Sequence, residues 1–395
     1  MAKKKISKGV VTGLLLPAVT LMGLITVPSF LLAEDILGGT GGNAEDKAYK
    51  RNGTLLFSCC GGTLGALVTD GDNEYILSNK HVLELGTLAL GNLNGNPDDI
   101  IIKPSLIDSD SVCVANSNSQ VATLSHSATL SETELNVVDA AIAITAGTIS
   151  SDIIDIGAIN GVFSGTPSIG TAVMKRGRTT KLTYGVVDMV NVSVSVKYGE
   201  ECGSKKGFIA DFENQIYVVG ADFSAGGDSG SLVLTTQPDT DGDEIPDVAG
   251  VEAVGLLFAG DDGGTVLNPI SDVLGLFSVS LVLGSNTGVF MPDSSSGGGS
   301  GGGSGGGPPE GKGPPGSRGG AAFGLTHANA VKDAHAFDLM SLPNVVAVGV
   351  GADENGEAVI KIHLESAAVS PSVPIPTEIE GVPVLTRVTG PVVAY

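Results

Sequence analysis

The sequence predicts an all-β main region, a flexible linker and a small α+β region after it. Of the 395 residues 58 are glycine, aromatic residues make up 4% and tryptophan is absent. This composition favours many short strands and tight turns over helical packing. Residues 291–320 consist mostly of serine, glycine and proline, which is typical of a flexible linker. We therefore expect domains at 53–290 and 321–395, preceded by an N-terminal segment at 34–52.

Charge and hydropathy exclude two broad classes. Hydrophobic residues make up 42% of the chain and charged residues 16%, so the chain is not a disordered polar one. The net charge of −22 argues against a nucleic-acid partner, because phosphate binding needs clustered lysine and arginine. This charge is instead typical of a soluble secreted protein or of one from a salty setting.

The first residues are typical of an export signal. Lys3–Lys5 form a basic start, and an apolar run extends from Gly9 to Ala33. The segment 1–33 is expected to be a cleaved signal peptide, although the long apolar run leaves an uncleaved anchor as an alternative. Pro17 and Pro28 weaken a straight membrane-spanning helix. In both cases the rest of the chain is secreted or extracytoplasmic, and membrane contact is expected only if the segment stays uncleaved.

Apolar runs separated by turn residues predict the strands of the main region. The runs before residue 160 are Leu64–Val68, Tyr75–Ser78 and Val138–Ile144, with turns at Thr69–Asn73 and Gly91–Asp99. The later runs are Ala172–Arg176, Tyr184–Val196, Gln215–Val219, Ser231–Leu234 and Val254–Phe258.

The segment Phe223–Ser231 contains a Gly-Asp-Ser-Gly turn centred on Ser229. A serine hydroxyl becomes a useful nucleophile only with a base to take its proton and donors to hold the oxyanion. Glycines at 226, 227 and 230 allow the N–H groups of Gly227 and Ser229 to converge on one point. The alternative is a plain glycine turn without catalytic meaning.

A histidine and an aspartate precede this serine in positions that complete a catalytic triad. His81 follows a short apolar strand, and Asp139 lies within an apolar run. A buried carboxylate without a partner is costly, so Asp139 is expected to bind His81. The order His81, Asp139, Ser229 excludes the α/β-hydrolase and subtilisin orders. The alternative for His81 is an ordinary surface histidine.

At these residues the sequence resembles the trypsin/chymotrypsin-like serine proteases, and in detail a bacterial branch related to the plant narrow-leaf protease. The resemblance covers roughly residues 53–285, and its other anchors are Cys60–Leu64, Lys175–Thr180 and Gly255–Gly260. It implies two six-stranded antiparallel β-barrels with His81 and Asp139 in the first, Ser229 in the second, and substrate in the cleft between them. It also implies an oxyanion hole at Gly227 and Ser229.

The resemblance also implies which residues form the substrate pocket. Phe223 occupies the position at the base of the pocket where trypsins carry aspartate, so specificity is expected to be non-tryptic. Phe258 stands where many relatives have a serine that binds the catalytic aspartate, which leaves the support of Asp139 open. Gly260 should line the substrate channel with its backbone. Ile36–Thr40 is similar to the N-terminus of activated zymogens, whose amine would pair with Asp228; the alternative is a glycine spacer.

Four cysteines in an exported chain predict two disulfides, with three connectivities. They are Cys59, Cys60, Cys113 and Cys202. Adjacent cysteines rarely bond to each other, so Cys59 and Cys60 are each expected to reach one of the distant pair. A metal site is the alternative, but no Cys-x-x-Cys spacing supports it.

Alternating aspartates form a candidate calcium loop between the nucleophile and the strand at Gly255. Its ligands would be Asp239, Asp241, Asp243, Ile245 and Asp247, the isoleucine through its carbonyl. The loop departs from an EF-hand because Glu244 replaces the turn glycine and Gly250 stands where a bidentate glutamate is needed. A solvated acidic hairpin tip is the alternative. Catalysis itself is expected to need no cofactor.

The sequence of region 321–395 predicts secondary structure but indicates no catalytic or binding residues. Leu325, Ala328, Val331 and Ala334 recur at helical spacing, and Val345–Val350, Ala358–His363 and Val382–Val388 read as strands. His327, His335 and His363 follow no ligand pattern and are expected to be ordinary histidines.

These observations predict a secreted serine endopeptidase that cleaves peptide bonds through an acyl-enzyme and acts on protein or peptide substrates. The alternative from another class is a catalytically silent binding or adhesion module that keeps the protease fold.

Overall fold

The computed structural model describes residues 35–44, 47–51, 54–58, 61–84, 99–109, 119–199, 207–236, 250–284, 320–367 and 375–395. Four sequence-based predictions lie outside these residues. They are the signal segment 1–33, the linker up to residue 319, the disulfides of Cys59, Cys60, Cys113 and Cys202, and the calcium loop at Asp239, Asp241, Asp243, Ile245 and Asp247.

The described chain up to residue 162 contains mostly short strands. They are β1 Thr40–Asn43, β2 Lys47–Arg51, β3 Thr54–Ser58, β4 Gly62–Thr63, β5 Ala66–Thr69, β6 Glu74–Ser78, the short helix α1 Lys80–Leu83, β7 Ile100–Ile102, β8 Gln120–Ser127, β9 Ala141–Thr145 and β10 Gly161–Val162.

The rest of the chain adds longer strands and two helices. They are β11 Ala172–Gly177, β12 Lys181–Tyr198, β13 Phe208–Val219, β14 Leu232–Thr235, β15 Glu252–Asp261, β16 Gly264–Pro269, α2 Ile270–Phe277, β17 Ser280–Leu281, α3 Gly320–Met340, β18 Val345–Ala352, β19 Ala358–Leu364, β20 Glu378–Ile379, β21 Val382–Val388 and β22 Val393–Ala394.

The first sheet is antiparallel and corresponds to the first predicted barrel. Within the described residues its order is β17-β5-β6-β9-β8-β7-β1-β4, so a path of six strands is extended by the short edge strands β17 and β4. Leucine, isoleucine, valine and alanine side chains fill one continuous core against it. Because β17 comes from the end of the main region, the chain returns to the first sheet after completing the second.

The second sheet closes on itself. Its order runs β11-β14-β15-β16-β13-β12, and β11 also pairs with β12, which completes a ring of six strands in the described chain. The two sheets confirm the predicted all-β, two-barrel class. Irregularities in the pairing of β12 with β13 between residues 187 and 194 bend the long strand β12. The bend allows its first half to pair with β11 and its second half with β18.

The region 320–395 continues the second sheet. β18 pairs with β12, and the order then runs β18-β19-β21-β20. Helix α3 packs Ala328, Val331 and Leu339 on this extension, over a core that includes Val348 and Ile360. Ala334, expected on the same apolar face, is exposed instead, because the buried stripe of the helix passes from Val331 to Leu339.

Ile36 lies in the packed core of the uncut chain. Its side chain and that of Leu37 are buried in the core of the first sheet, and Leu37 forms a β-bridge with Ile153. The segment is therefore part of the packed structure rather than a glycine spacer. The activation hypothesis for Ile36 stays a prediction.

Candidate active site

The three predicted triad residues lie at the ends of secondary-structure elements. Strand β6 ends at Ser78, and the short helix α1 then presents His81. Asp139 lies two residues before β9, which pairs with β6. Ser229 lies in the turn before β14, and its carbonyl accepts the N–H of Thr63 from β4 at 2.8 Å. The two sheets thus meet at the site.

Glycine is required on one side of Ser229. Gly230 has φ +91°, and a Cβ there would lie 2.1 Å from Ser78 Oγ and 2.2 Å from Thr63 O. Because these atoms belong to the first sheet, only glycine allows the two halves to approach this closely. Thr63 Oγ1 also donates to Gly227 O at 3.0 Å and so holds the turn from the other side.

His81 and Asp139 form a short ion pair. His81 Nδ1 lies 2.6 Å from Asp139 Oδ2, and the Asp139 side chain is fully buried. Burial alone would lower the pKa of His81, but the charge and hydrogen bond of Asp139 outweigh it and raise that pKa above its ordinary value. Burial would likewise raise the pKa of Asp139, but His81 and the hydroxyl of Tyr198 lower it. The pair therefore favours an aspartate with an imidazolium.

Asp139 is supported by residues that the sequence did not single out. Tyr198, at the end of β12, donates its hydroxyl to Asp139 Oδ2 at 2.8 Å. The N–H of Asp139 donates to Asn268 Oδ1 at 3.0 Å, and Asn268 in turn donates to Gln215 Oε1 at 2.6 Å. Burial and the charge of Asp139 raise the pKa of Tyr198 well above its ordinary value, so the phenol stays a donor. Tyr198 thus supplies the donor that Phe258 cannot supply.

Ser229 is buried, and the main-chain oxygen of Tyr395 lies between its hydroxyl and the His81 ring. Ser229 Oγ donates to Tyr395 O at 2.6 Å, and His81 Nε2 lies 3.0 Å from the same oxygen. Among the described residues, Ser229 Oγ and His81 Nε2 make no hydrogen bond to each other. Both reach one atom, so the imidazole, the carboxylate and the hydroxyl form one connected chain through that atom.

The turn before Ser229 leaves two donors available. Within the described part of the chain, the N–H groups of Gly227 and Ser229 have no hydrogen-bond acceptor. Gly227 has φ +97°, a conformation that favours glycine. Two unpaired N–H groups beside the Ser229 hydroxyl are the arrangement that an oxyanion would require.

Asp228 holds this turn through buried contacts. Its carboxylate accepts the N–H of Thr179 at 2.7 Å and the hydroxyl of Thr180 at 2.7 Å, and it lies 3.4 Å from Lys175 Nζ. Both members of the ion pair are fully buried, and burial lowers the pKa of Lys175 to about 8 despite the charge of Asp228. Lys175 therefore occupies the place that the activation hypothesis gives to a freed amine of Ile36.

The three predicted pocket residues divide into two groups. Phe223 is buried in an apolar cluster on which the Tyr395 ring packs, and a Cβ at Gly260 would lie 2.1 Å from Tyr395 Oη. These two positions thus border one pocket. The ring of Phe258 lies in the neighbouring core, 4.9 Å from the ring of Phe212, so only its backbone faces the site. That cluster also contains Val346, Ala347 and Val392, so the Phe258 ring does not share the cluster of Phe223, and its place in the substrate pocket stays a prediction.

The remaining histidines lie outside this site. His327 and His335 both bind Glu380, through its carbonyl and its carboxylate respectively. His363 is buried, with Nδ1 3.7 Å from Asp261 Oδ2. No group of three or more potential metal ligands is present among the described residues.

Sequence comparisons find no match: no protein-family model and no curated protein matches this chain. Solved structures that resemble it include a glutamic acid specific serine protease, with 19% identity, a TM-score of 0.38 and coverage of 62% of this chain and 98% of the protease. Thermobifida fusca protease A is 18% identical, with a TM-score of 0.37 and coverage of 64% of this chain and 100% of that protease. Cellulomonas bogoriensis chymotrypsin is 17% identical, with a TM-score of 0.36 and coverage of 63% of this chain and 99% of that enzyme. These neighbours are chymotrypsin-like serine proteases. At such identities the function has to be argued from the site.

Among the described residues, no helix combines the length and the apolar character needed to span a bilayer.

Proposed function

We propose that this chain is a serine endopeptidase that cleaves peptide bonds through an acyl-enzyme. One observation carries the proposal: the His81 ring bonds Asp139 at 2.6 Å on one side and, on the other, the oxygen held by Ser229 Oγ. Ser229 Oγ and His81 Nε2 thus converge on one point from opposite sides, and once that oxygen withdraws the ring can accept the proton of the alcohol and return it to a leaving group.

The reaction assigns one role to each member of the triad. Ser229 Oγ attacks the scissile carbonyl carbon while His81 Nε2 accepts the hydroxyl proton. The tetrahedral oxyanion is held by the N–H groups of Gly227 and Ser229. His81 then protonates the leaving amine as the C–N bond breaks and the acyl-enzyme forms. Water, deprotonated by His81, hydrolyses the ester and releases Ser229.

We further propose a non-tryptic specificity. A lysine or arginine side chain would need a carboxylate at the base of the pocket, and the aromatic ring of Phe223 stands there instead. The ring is buried in an apolar cluster, which favours an apolar substrate side chain.

The remaining expectations stay predictions. They are secretion after removal of residues 1–33, the relation to the bacterial branch around the plant narrow-leaf protease, two disulfides, and a structural calcium ion at Asp239, Asp241, Asp243, Ile245 and Asp247. The proposed chemistry of the triad uses no cofactor.

Covalent labelling tests the proposal and separates it from the silent binding module. A fluorophosphonate probe reacts only with an activated serine, so intact mass and peptide mapping should show capture at Ser229. Ser229→Ala should abolish capture and casein hydrolysis with its unfolding temperature retained. The exposed Ser271→Ala is the matched control and should label as the parent does. Capture that persists in Ser229→Ala would show that another residue is the nucleophile.

A further inference from the structure

The segment Val392–Tyr395 runs along the proposed cleft as an added strand. β22 is antiparallel to β15, with Val393 opposite Gly260 and Ala394 opposite Ala259. The N–H of Tyr395 donates to Phe258 O at 3.3 Å. An extended peptide that pairs with a free sheet edge is a common mode of peptide binding, in which backbone bonds hold the strand and pockets select its side chains.

The side chains of this segment fill pockets beside the triad. The Tyr395 ring packs on the apolar cluster that contains Phe223. It passes Gly260, where any Cβ would collide with its hydroxyl. Three residues earlier, Val392 is fully buried in the cluster around Phe258. The segment therefore occupies side-chain pockets as well as backbone positions.

The main-chain oxygen of Tyr395 also engages the reacting groups. Ser229 Oγ donates to it at 2.6 Å and His81 Nε2 lies at 3.0 Å. Because Nδ1 of His81 already donates to Asp139, donation from Nε2 requires the imidazolium form. In this state the histidine holds the proton that it must accept from Ser229. The bound segment therefore disfavours the neutral ring from which the reaction starts and slows the reaction of the full chain.

The preceding region fixes the segment to the barrel. β18 pairs with β12, and two ion pairs cross from β19 and the residue after it: Lys361 to Asp188 at 2.7 Å and Glu365 to Lys197 at 2.6 Å. The N–H of Lys197 donates to Val392 O at 2.9 Å. A segment held so close to its site has an effective concentration on the order of millimolar, so even weak binding in trans becomes substantial in cis.

We propose that residues 345–395 are an intramolecular inhibitor in which Val392–Tyr395 binds as the acyl side of a substrate, and that the pocket holding Tyr395 selects substrates with a large aromatic residue before the scissile bond. This inference rests on the proposed peptidase function. It extends that function by naming both the residue class that the pocket accepts and the segment that keeps substrates out.

The test compares the full chain with a variant shortened after Val392, which retains α3 and β18 to β21. The substrates are Val-Val-Ala-Xaa p-nitroanilides with tyrosine, phenylalanine, lysine or glutamate at Xaa. The shortened variant should hydrolyse the tyrosine and phenylalanine substrates at least tenfold faster than the full chain does. It should also hydrolyse these two substrates faster than it hydrolyses the lysine and glutamate substrates. Free Val-Val-Ala-Tyr should restore the inhibition, and Val-Val-Ala-Lys should not.

Two controls keep the comparison clear. Leu385→Ala alters an exposed side chain of β21 away from the cleft and should retain the inhibited rate. If the shortened variant unfolds, Tyr395→Ala in the full chain removes only the ring and should give a smaller activation of the same sign.

A binding experiment on Ser229→Ala chains needs no catalysis and separates the two proposals. Fluorescent Val-Val-Ala-Tyr should bind the shortened Ser229→Ala chain at least tenfold more tightly than the full-length Ser229→Ala chain. Equal binding, or equal hydrolysis by the two active chains, overturns the inhibitor while leaving the peptidase intact. A preference for lysine or glutamate overturns the assigned pocket. If the peptide binds the shortened chain more tightly but no chain hydrolyses the substrates, the peptidase proposal is rejected and the binding of Val392–Tyr395 in the cleft is retained.

Discussion

The sharpest test of the site concerns Tyr198, because no sequence motif predicted its contact with Asp139. Tyr198→Phe removes only the hydroxyl that donates to Asp139 Oδ2 at 2.8 Å. The ring should stay in place, since it stacks on Phe208 with centroids 4.7 Å apart and planes 10° apart. The substitution therefore changes one hydrogen bond rather than the packing.

The size of the effect follows from the chemistry of that bond. A hydrogen bond to a charged group contributes about 1.5–3 kcal/mol, and here both partners are buried. Without it Asp139 keeps its contacts with His81 but loses a restraint on the orientation of its carboxylate. If about half of the bond energy, about 0.75–1.5 kcal/mol, acts on the orientation of His81 in the transition state, kcat/KM falls about four- to twelvefold, since about 1.4 kcal/mol corresponds to a factor of ten.

The pH profile distinguishes positioning from a general loss of structure. Without the Tyr198 hydroxyl, the charge of Asp139 acts more fully on His81, so the acid limb of kcat/KM should move to higher pH. The assay is tetrapeptide anilide hydrolysis by the shortened chain between pH 5 and pH 10. Tyr75→Phe removes a similar hydroxyl bond, to Asp70 at 2.7 Å, away from the site and is the matched control. The reasoning fails if Tyr198→Phe keeps both the rate and the acid limb of Tyr75→Phe.

Two further predictions concern buried charge. Lys175→Met leaves Asp228 without its cation but with its threonine donors, so the free energy of unfolding in urea should fall by about 3 kcal/mol. Lys197→Met removes a more exposed ion pair and should lower it by less than about 1 kcal/mol. Equal losses would contradict the buried ion pair of Lys175 and Asp228. The shortened chain should show an acid limb of kcat/KM above about pH 6.5, because Asp139 raises the pKa of His81 and catalysis needs the neutral ring. The stability contribution of this ion pair has the opposite pH dependence: it is fully present below about pH 6.5 and is lost as the pH rises through the raised pKa of His81. An acid limb of kcat/KM below pH 6 would refute the pairing.

Sequence reasoning could identify the triad candidates because each lies in a local pattern. A glycine turn marks Ser229, and a single carboxylate in an apolar run marks Asp139. In the structure Asp139 binds His81 directly, and Ser229 Oγ shares the Tyr395 main-chain oxygen with it. The strands were accessible for a similar reason, since strands and turns leave short-range signals, whereas their arrangement in two barrels was implied by the resemblance.

The support of Asp139 could not be predicted in the same way. Phe258 indicated that a donor was missing, but nothing in the sequence indicated that Tyr198 would replace it. That contact joins residues 59 apart in sequence and depends on the bend in β12, which no residue pattern specifies. The course of Val392–Tyr395 was equally hidden. These residues read as the end of a small domain, and only the sheet that joins β18 to β12 directs them toward Ser229.

Strand β15 explains why a phenylalanine at position 258 is compatible with the proposed site. The Phe258 carbonyl accepts both Ser229 Oγ and the N–H of Tyr395, each at 3.3 Å, so the site uses the backbone of this residue. Its side chain is then free to pack in the cluster that contains Phe212 and Val392. Because substrate and Val392–Tyr395 would use the same carbonyl and the same edge of β15, they cannot bind together. Inhibition should therefore be competitive, and it should be relieved by whatever separates β22 from β15 without disturbing the barrel.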